Sequence, residues 1–83
     1  MLVDVVRVEV LPHYWLRLAF DDGAEGIIDI ASFVPFEGIF APLRDPAVFA
    51  QVRVDAELGT IVWPNGADLD PSVLRERASR VGE

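Results

Sequence analysis

Cysteine and lysine are both absent from this sequence of 83 residues, and all seven basic residues are arginine. Without cysteine the chain can form no disulfide, no thiolate nucleophile and no cysteine-ligated zinc or iron–sulfur site. Without lysine it has neither a Schiff-base lysine nor the lysine of a P-loop. These absences exclude several large classes of enzyme before any pattern is considered.

Long apolar runs are absent as well. No stretch approaches the roughly 20 apolar residues that a membrane span needs. The first residues, Met1 to Asp4, carry no basic segment ahead of an apolar run, so we expect no secretory signal. Together with the lack of cysteine, this fits a reducing compartment, and we expect a cytoplasmic protein that does not associate with membranes.

The formal net charge is -7, which opposes binding to nucleic acids because such binding depends on neutralising phosphates. Residues 71–83 are the local exception, since Arg75, Arg77 and Arg80 stand there against two glutamates. We interpret these arginines as one solvated face of a helix. The alternative is a patch that contacts phosphate.

Hydrophobic residues make up 52% of the chain, so it should fold, and its length predicts one domain over residues 1–83. Residues 3–11 alternate, with Val6, Val8 and Val10 on one face, which predicts a half-buried strand. Residues 14–20 and 24–30 form two more strands around a hairpin turn at Asp21-Asp22-Gly23.

The second half begins with an apolar loop over residues 31–44, interrupted by prolines. Asp45-Pro46 predicts a short helix, because aspartate caps a helix and proline suits its first position. Residues 51–57 and 60–63 form a second hairpin, and Asp70-Pro71 begins a last helix that we expect to end near Val81 at Gly82. The side chains that we expect to face the core in this half are Val52, Val54, Ala56, Val73, Leu74, Ala78 and Val81.

The predicted fold is therefore α+β. It consists of a mainly antiparallel sheet of about five strands in two hairpins, with a short middle helix and a C-terminal helix. The helices are too few to cover both faces of such a sheet, so we expect apolar surface to remain exposed. Trp15 and Arg17 share a face of the second strand, and Phe36 belongs to the apolar loop. Because tryptophan and arginine are enriched at binding hot spots, these three residues are the candidate interaction surface.

A second candidate is the loop that contains Asn65, Asp68 and Asp70, which could bind a small ligand or a cation. It lacks the glutamate and the central glycine of a calcium loop, so we expect no metal site and no cofactor. Turn and cap chemistry also explains Asn65 and Asp70. We interpret Trp63, Pro64 and Gly66 as structural, with Trp63 packed under the last helix and Gly66 at a positive φ.

Catalytic chemistry has few candidates in this chain. We expect His13 to be an exposed loop residue, Ser72 a residue at the start of a helix and Thr60 a strand residue. Asp21 and Asp22 should be exposed, ordinary carboxylates in a turn. Asp29 stands between Ile28 and Ile30, and we expect it to hydrogen-bond the loop that follows. No nucleophile lies beside a base in the pattern, so we expect no enzymatic activity.

A combination of several segments is distinctive. It consists of Leu43-Arg44-Asp45-Pro46, Phe49, Val52-Arg53-Val54, the run from Ile61 to Leu69, and the Phe20–Gly23 turn with Asp29. Together these segments resemble a family of small bacterial proteins known as domain of unknown function 2442. The resemblance implies a small α+β domain with no assigned activity. Some relatives carry a helix-turn-helix region after this domain, for which the present chain has no room, and others are encoded beside a small protein in an arrangement like a toxin–antitoxin pair.

The function that we expect from the sequence is thus a non-catalytic protein-interaction or regulatory module, in the manner of an antitoxin. Its partner would be another protein or a second copy of the chain. The alternative is a small-ligand or cation-binding domain that uses the loop from Asn65 to Asp70.

Overall fold

The computed structural model describes residues 3–80, except for the side chain of Arg80. The strands and helices in chain order are β1 (Val5–Val10), β2 (Trp15–Phe20), β3 (Glu25–Asp29), α1 (Pro46–Phe49), β4 (Arg53–Asp55), β5 (Thr60–Val62), α2 (Pro71–Arg77) and β6 (Ser79–Arg80). Short 3-10 segments cover Pro12–Tyr14, Ile30–Ser32 and Gly38–Arg44. The α+β class and the two predicted hairpins are confirmed.

The strands form two sheets rather than the single sheet that the sequence predicts. One is antiparallel in the order β1-β2-β3-β6, and the other contains only β4 and β5. The two sheets meet where the Val5 amide donates to the Gly59 carbonyl at 2.9 Å. A bulge between Val5 and Arg7 interrupts the regular spacing of β1 at this point. The second hairpin therefore packs against β1 and bonds to it at Val5, but it does not extend its ladder.

The bulge also changes which valines of β1 are buried. Val5 is 1% exposed, whereas Val6 is 53% and Val10 is 40% exposed. Val8 is half-buried. The prediction that Val6, Val8 and Val10 form the buried face was therefore wrong for Val6 and Val10. The physical reason is the position of β1 at the edge of its sheet, where most of its length has a neighbouring strand on one side only.

Local turn and cap signals are confirmed. The first hairpin turns at Asp21–Gly23, as expected. The carboxylate of Asp45 accepts a hydrogen bond from the Ala47 amide at 2.9 Å, and that of Asp70 accepts one from the Ser72 amide at 2.8 Å. Both helices thus begin with a capping aspartate followed by proline.

The last helix is shorter than predicted, because α2 ends at Arg77 and the chain becomes extended at Ala78 (φ -68°, ψ 131°). The next two residues pair with β3, with Ser79 opposite Ile27 and Arg80 opposite Gly26. Gly26 permits this approach, since a Cβ there would lie 2.8 Å from the Ser79 carbonyl oxygen. The predicted helix end at Val81 and Gly82 lies outside the described residues.

One hydrophobic core joins the two sheets and both helices. It includes Leu16 and Leu18 of β2, Phe49 of α1, Trp63 directly after β5, and Leu74 of α2. The apolar loop contributes Val34 and Leu43 in full, and its phenylalanines pack half-buried against the same cluster. Two of the residues that we expected to face the core are instead exposed, namely Ala56 and Val73. Val73 precedes the buried Leu74 in α2, about 100° away around the helix axis.

Candidate functional site

The face of the four-stranded sheet that points away from the core is polar and accessible. Strand register places Arg17 of β2 between Glu9 of β1 and Ile27 of β3. We call this surface the open face. Its residues are Arg7, Glu9, Trp15, Arg17, Ala19, Glu25, Ile27 and Asp29.

The open face is organised around one ion pair. The Arg17 guanidinium donates to the Glu25 carboxylate at 3.3 Å, and the two side chains are 43% and 45% exposed. Ala19 is only 7% exposed although it lies on this face, because the longer charged side chains around it cover it. The resulting depression has a volume of about 280 Å³ and is lined by Arg7, Val8, Glu9, Arg17, Leu18, Ala19 and Glu25.

Trp15 lies at the other end of the open face and is half-buried. It stands opposite Asp29, which is also half-buried. The loop after β3 does bond to Asp29, but through its main chain, since the Ser32 hydroxyl donates to the Asp29 carbonyl at 2.7 Å. The structure thus brings Trp15 and Arg17 together on one accessible surface, next to a carboxylate.

Phe36 does not join that surface. Its ring packs edge-on against Tyr14 with 5.1 Å between the ring centroids, and Tyr14 in turn packs against Phe49 at 5.2 Å. Arg44 donates to the Phe36 carbonyl at 3.0 Å, and the Tyr14 hydroxyl donates to the Arg44 carbonyl. These contacts hold Phe36 against the core side of the sheet.

The side chains of the second candidate, the loop from Asn65 to Asp70, are largely occupied by bonds within the chain. The Asn65 amide donates to the Ile39 carbonyl at 2.8 Å, and its oxygen accepts from the Ala67 amide at 3.1 Å. Asp70 caps α2. Asp68 is exposed and makes an isolated backbone bridge to Val62. The loop is thus built by turn and cap bonds that leave few oxygen atoms for a ligand.

The run from Trp63 to Gly66 contributes to the core and to a tight turn. Trp63 is 1% exposed, and its indole N–H donates to the Phe49 carbonyl at 3.0 Å. Pro64 is exposed in the turn that follows, and Gly66 has a φ of 90°, as predicted. The Trp63 side chain thus bonds to the short helix α1, and Leu74 of the last helix belongs to the same core cluster as Trp63.

A contact that the sequence did not predict joins the first turn to the last helix. The Arg75 guanidinium donates to the Asp22 carboxylate at 3.0 Å and lies 5.6 Å from the centre of the Phe20 ring. Hydrogen bonds from the Ala24 amide and from Arg75 lower the pKa of Asp22, so this carboxylate is not the ordinary one that we expected. The two residues are 53 positions apart, and no local pattern relates them.

The neighbouring arginine has a similar internal contact. The Arg77 guanidinium lies 4.7 Å from the centre of the Phe33 ring, within the range of a cation–π interaction. Two of the three arginines that could have formed a phosphate-binding patch are thus engaged with aromatic rings of the same chain.

The candidate catalytic side chains are dispersed. His13 is exposed in the turn Pro12–Tyr14, where His13 and Tyr14 both have a positive φ, 61° and 68°. The Ser32 and Thr60 hydroxyls already donate to main-chain carbonyls, those of Asp29 and Leu69. A small apolar cavity of about 200 Å³ lies beside His13, between the end of β1 and α1.

Within residues 3–80, no group of three or more histidine, aspartate or glutamate side chains is placed to hold a metal ion. Neither helix of that range has the length and the apolar composition that crossing a bilayer would require.

Comparison with known proteins gives a family without an assigned role. No curated protein and no solved structure matches the chain. A family model described as protein of unknown function, DUF2442, matches residues 5–80, which is nearly the whole chain. The chain therefore belongs to the DUF2442 family.

Proposed function

We propose that this chain is a protein-interaction module that binds another protein through the open face. The observation that carries the proposal is the placement of Trp15 and Arg17 on one accessible sheet surface, beside a depression of about 280 Å³. A partner that covered this surface would desolvate the Trp15 ring and the stem of Arg17. Buried tryptophan and arginine are the residue types that most often dominate interface energies.

The charges of the open face indicate what kind of protein surface would bind there. The open face carries Arg7 and Arg17 against Glu9, Glu25 and Asp29, so both signs are interspersed over a small area. A complementary surface needs the same mixture in the opposite arrangement. The whole chain has a net charge of -7, which would speed encounters with a partner of net positive charge.

The dispersal of the chemical groups supports binding rather than catalysis. The exposed His13 lies in a turn, while the Ser32 and Thr60 hydroxyls are bonded to main-chain carbonyls elsewhere. The bonds within the loop from Asn65 to Asp70 make the ligand-binding alternative the weaker proposal.

The first partner to test is the small protein encoded beside the gene for this chain, because the family resemblance suggests a paired, antitoxin-like role. The two proteins would be co-expressed, and the complex would be measured by calorimetric titration at several salt concentrations. We expect a one-to-one complex that Trp15→Ala weakens by about 2 kcal/mol or more, and that Arg17→Glu also weakens.

Leu58→Ala is the matched control for that titration. Leu58 is 56% exposed in the turn between β4 and β5, away from the open face, and its truncation should leave the affinity unchanged. A complex that tolerates both open-face variants would refute the assignment of the surface. If neither the adjacent product nor any stoichiometric protein from the source cells binds the chain, the interaction module itself is refuted.

A further inference from the structure

Strand β1 lies at one edge of the four-stranded sheet. Among residues 3–80, the main-chain hydrogen bond to its outer side is the one at its start, where the Val5 amide donates to the Gly59 carbonyl. The second hairpin packs against β1 without pairing with it as a strand. The Leu11 amide donates to the Trp15 carbonyl at 2.9 Å, so Leu11 and Trp15 form one of the hydrogen-bonded pairs between β1 and β2. Since bonded pairs alternate along an antiparallel ladder, the main-chain groups of Val8 and Val10 point away from β2.

The side chains of β1 are those of an edge that could accept another strand. Val6 and Val10 are among the large apolar side chains that the structure leaves exposed, at 53% and 40%. The strand contains no proline and no lysine, two of the means by which proteins protect a sheet edge. The bulge before Arg7 limits the regular portion to the residues from Arg7 to Val10.

The sequence of this edge is complementary to itself in the antiparallel direction. If two copies pair with Val8 opposite Val8, then Arg7 of each copy stands opposite Glu9 of the other. The same register runs from Val10 of each copy toward Val6 of the other, and the bulge before Arg7 ends the regular pairing there. Centring the pairing on Arg7 or on Glu9 instead would place like charges opposite each other, which is unfavourable. Among registers centred on a residue from Arg7 to Val10, only the one at Val8 sets opposite charges against each other, so the charges favour that register.

That register also continues a charge pattern already present on the open face. Within one chain Glu9 stands opposite Arg17, which bonds Glu25. Arg7 of the second copy would extend this row beyond Glu9, so that acidic and basic side chains alternate across both copies.

We propose that two copies of this chain pair antiparallel through β1, about a two-fold axis at Val8, and so form one continuous eight-stranded sheet. Both copies use the same surface, so the pairing closes as a dimer and leaves no free edge at β1. Main-chain hydrogen bonds between the strands supply the attraction, as in other cases of strand addition, and the Arg7–Glu9 pairs set the register. Arg7 and Glu9 belong both to this edge and to the open face, whereas Trp15 belongs to the open face alone. Trp15→Ala therefore separates the dimer from the proposed binding of another protein.

Charge reversal provides a direct test on the purified full chain. Arg7→Glu leaves the pairing within a chain undisturbed, because Arg7 stands opposite Ala19 there. In the dimer it would place Glu opposite Glu9 twice, and we expect sedimentation equilibrium to show a dimer dissociation constant weakened roughly tenfold or more. Arg53→Glu, a charge reversal at another exposed arginine, on β4, is the control and should leave that constant unchanged.

The decisive arm is a mixture of Arg7→Glu and Glu9→Arg chains. Each variant alone sets like charges against each other, but a mixed pair restores two opposite-charge contacts, so native mass spectrometry should show the mixed dimer in excess over both homodimers. Far-UV circular dichroism would establish that each variant is folded. A parent chain that stays monomeric at about millimolar concentration would overturn the proposal. It would also be overturned by a dimer that Trp15→Ala abolishes but Arg7→Glu does not.

Discussion

Trp63 is the side chain whose removal should cost this domain most. It is 1% exposed, it packs against Phe49 with 6.0 Å between the ring centroids, and its indole N–H is bonded to the Phe49 carbonyl. Truncation of a core tryptophan to alanine costs about 3–5 kcal/mol. A chain of 83 residues is stable by roughly 4–12 kcal/mol in total, so Trp63→Ala should remove a large part of its stability.

Trp63→Phe separates the hydrogen bond from the packing. The Phe49 carbonyl also accepts from the Val52 amide at 3.3 Å, so it keeps a partner when the indole is removed. The phenylalanine variant should therefore lose only the net value of one hydrogen bond and part of a ring, roughly 1–2 kcal/mol. In a domain of this size each kcal/mol lowers the melting temperature by about 4–8 °C.

Urea unfolding followed by far-UV circular dichroism measures these differences without relying on the fluorescence of the altered tryptophan. Val73→Ala is the control, because Val73 is 39% exposed on α2 and its truncation should change the free energy of unfolding little. We expect the free energy of unfolding to fall in the order parent, Trp63→Phe, Trp63→Ala, and a parent at the lower end of its stability range would leave the last variant nearly unfolded at 25 °C. A Trp63→Ala chain with the parent melting temperature would refute the assignment of Trp63 to the core.

Three other expectations concern charge, close packing and metal. Bonds to the Asp22 carboxylate lower its pKa below 3.8, so their stabilisation is complete above that value and is lost as the pH falls toward the lowered pKa. The difference in melting temperature between the parent and Asp22→Asn should accordingly shrink on acidification, and a constant difference would contradict this reasoning. Gly26→Ala should displace β6, because the new Cβ would meet the β6 backbone at 2.8 Å, and trypsin should then cleave after Arg77 faster than in the parent. Calorimetric titration with calcium, magnesium or zinc should show no saturable binding tighter than roughly millimolar, since Asn65 and Asp70 already accept main-chain bonds; a micromolar isotherm that Asp68→Ala abolishes would revive the ligand-binding alternative.

Local chemistry determined a good part of this fold from the sequence alone. The capping aspartates, Asp45 and Asp70, act on amides two residues away, and the turn at Asp21–Gly23 involves only adjacent residues. The alternation in β2 is similarly local, and it correctly separated Leu16 and Leu18 from Arg17. Signals of this kind are readable because cause and effect lie within a few positions of the chain.

Tertiary structure alone decided which edges and faces remain free. Alternation in β1 does not reveal that the strand lies at a sheet edge, because that depends on where the second hairpin meets it. The end of α2 at Arg77 depends on space left by Gly26, and the bond from Arg75 to Asp22 joins residues 53 positions apart. Each of these features requires distant segments to be brought together, and pairing between distant segments leaves no periodic trace in either one. The sequence by itself could thus place Trp15 and Arg17 on one face of a strand, but only the folded chain showed that this face is accessible and that Phe36 does not belong to it.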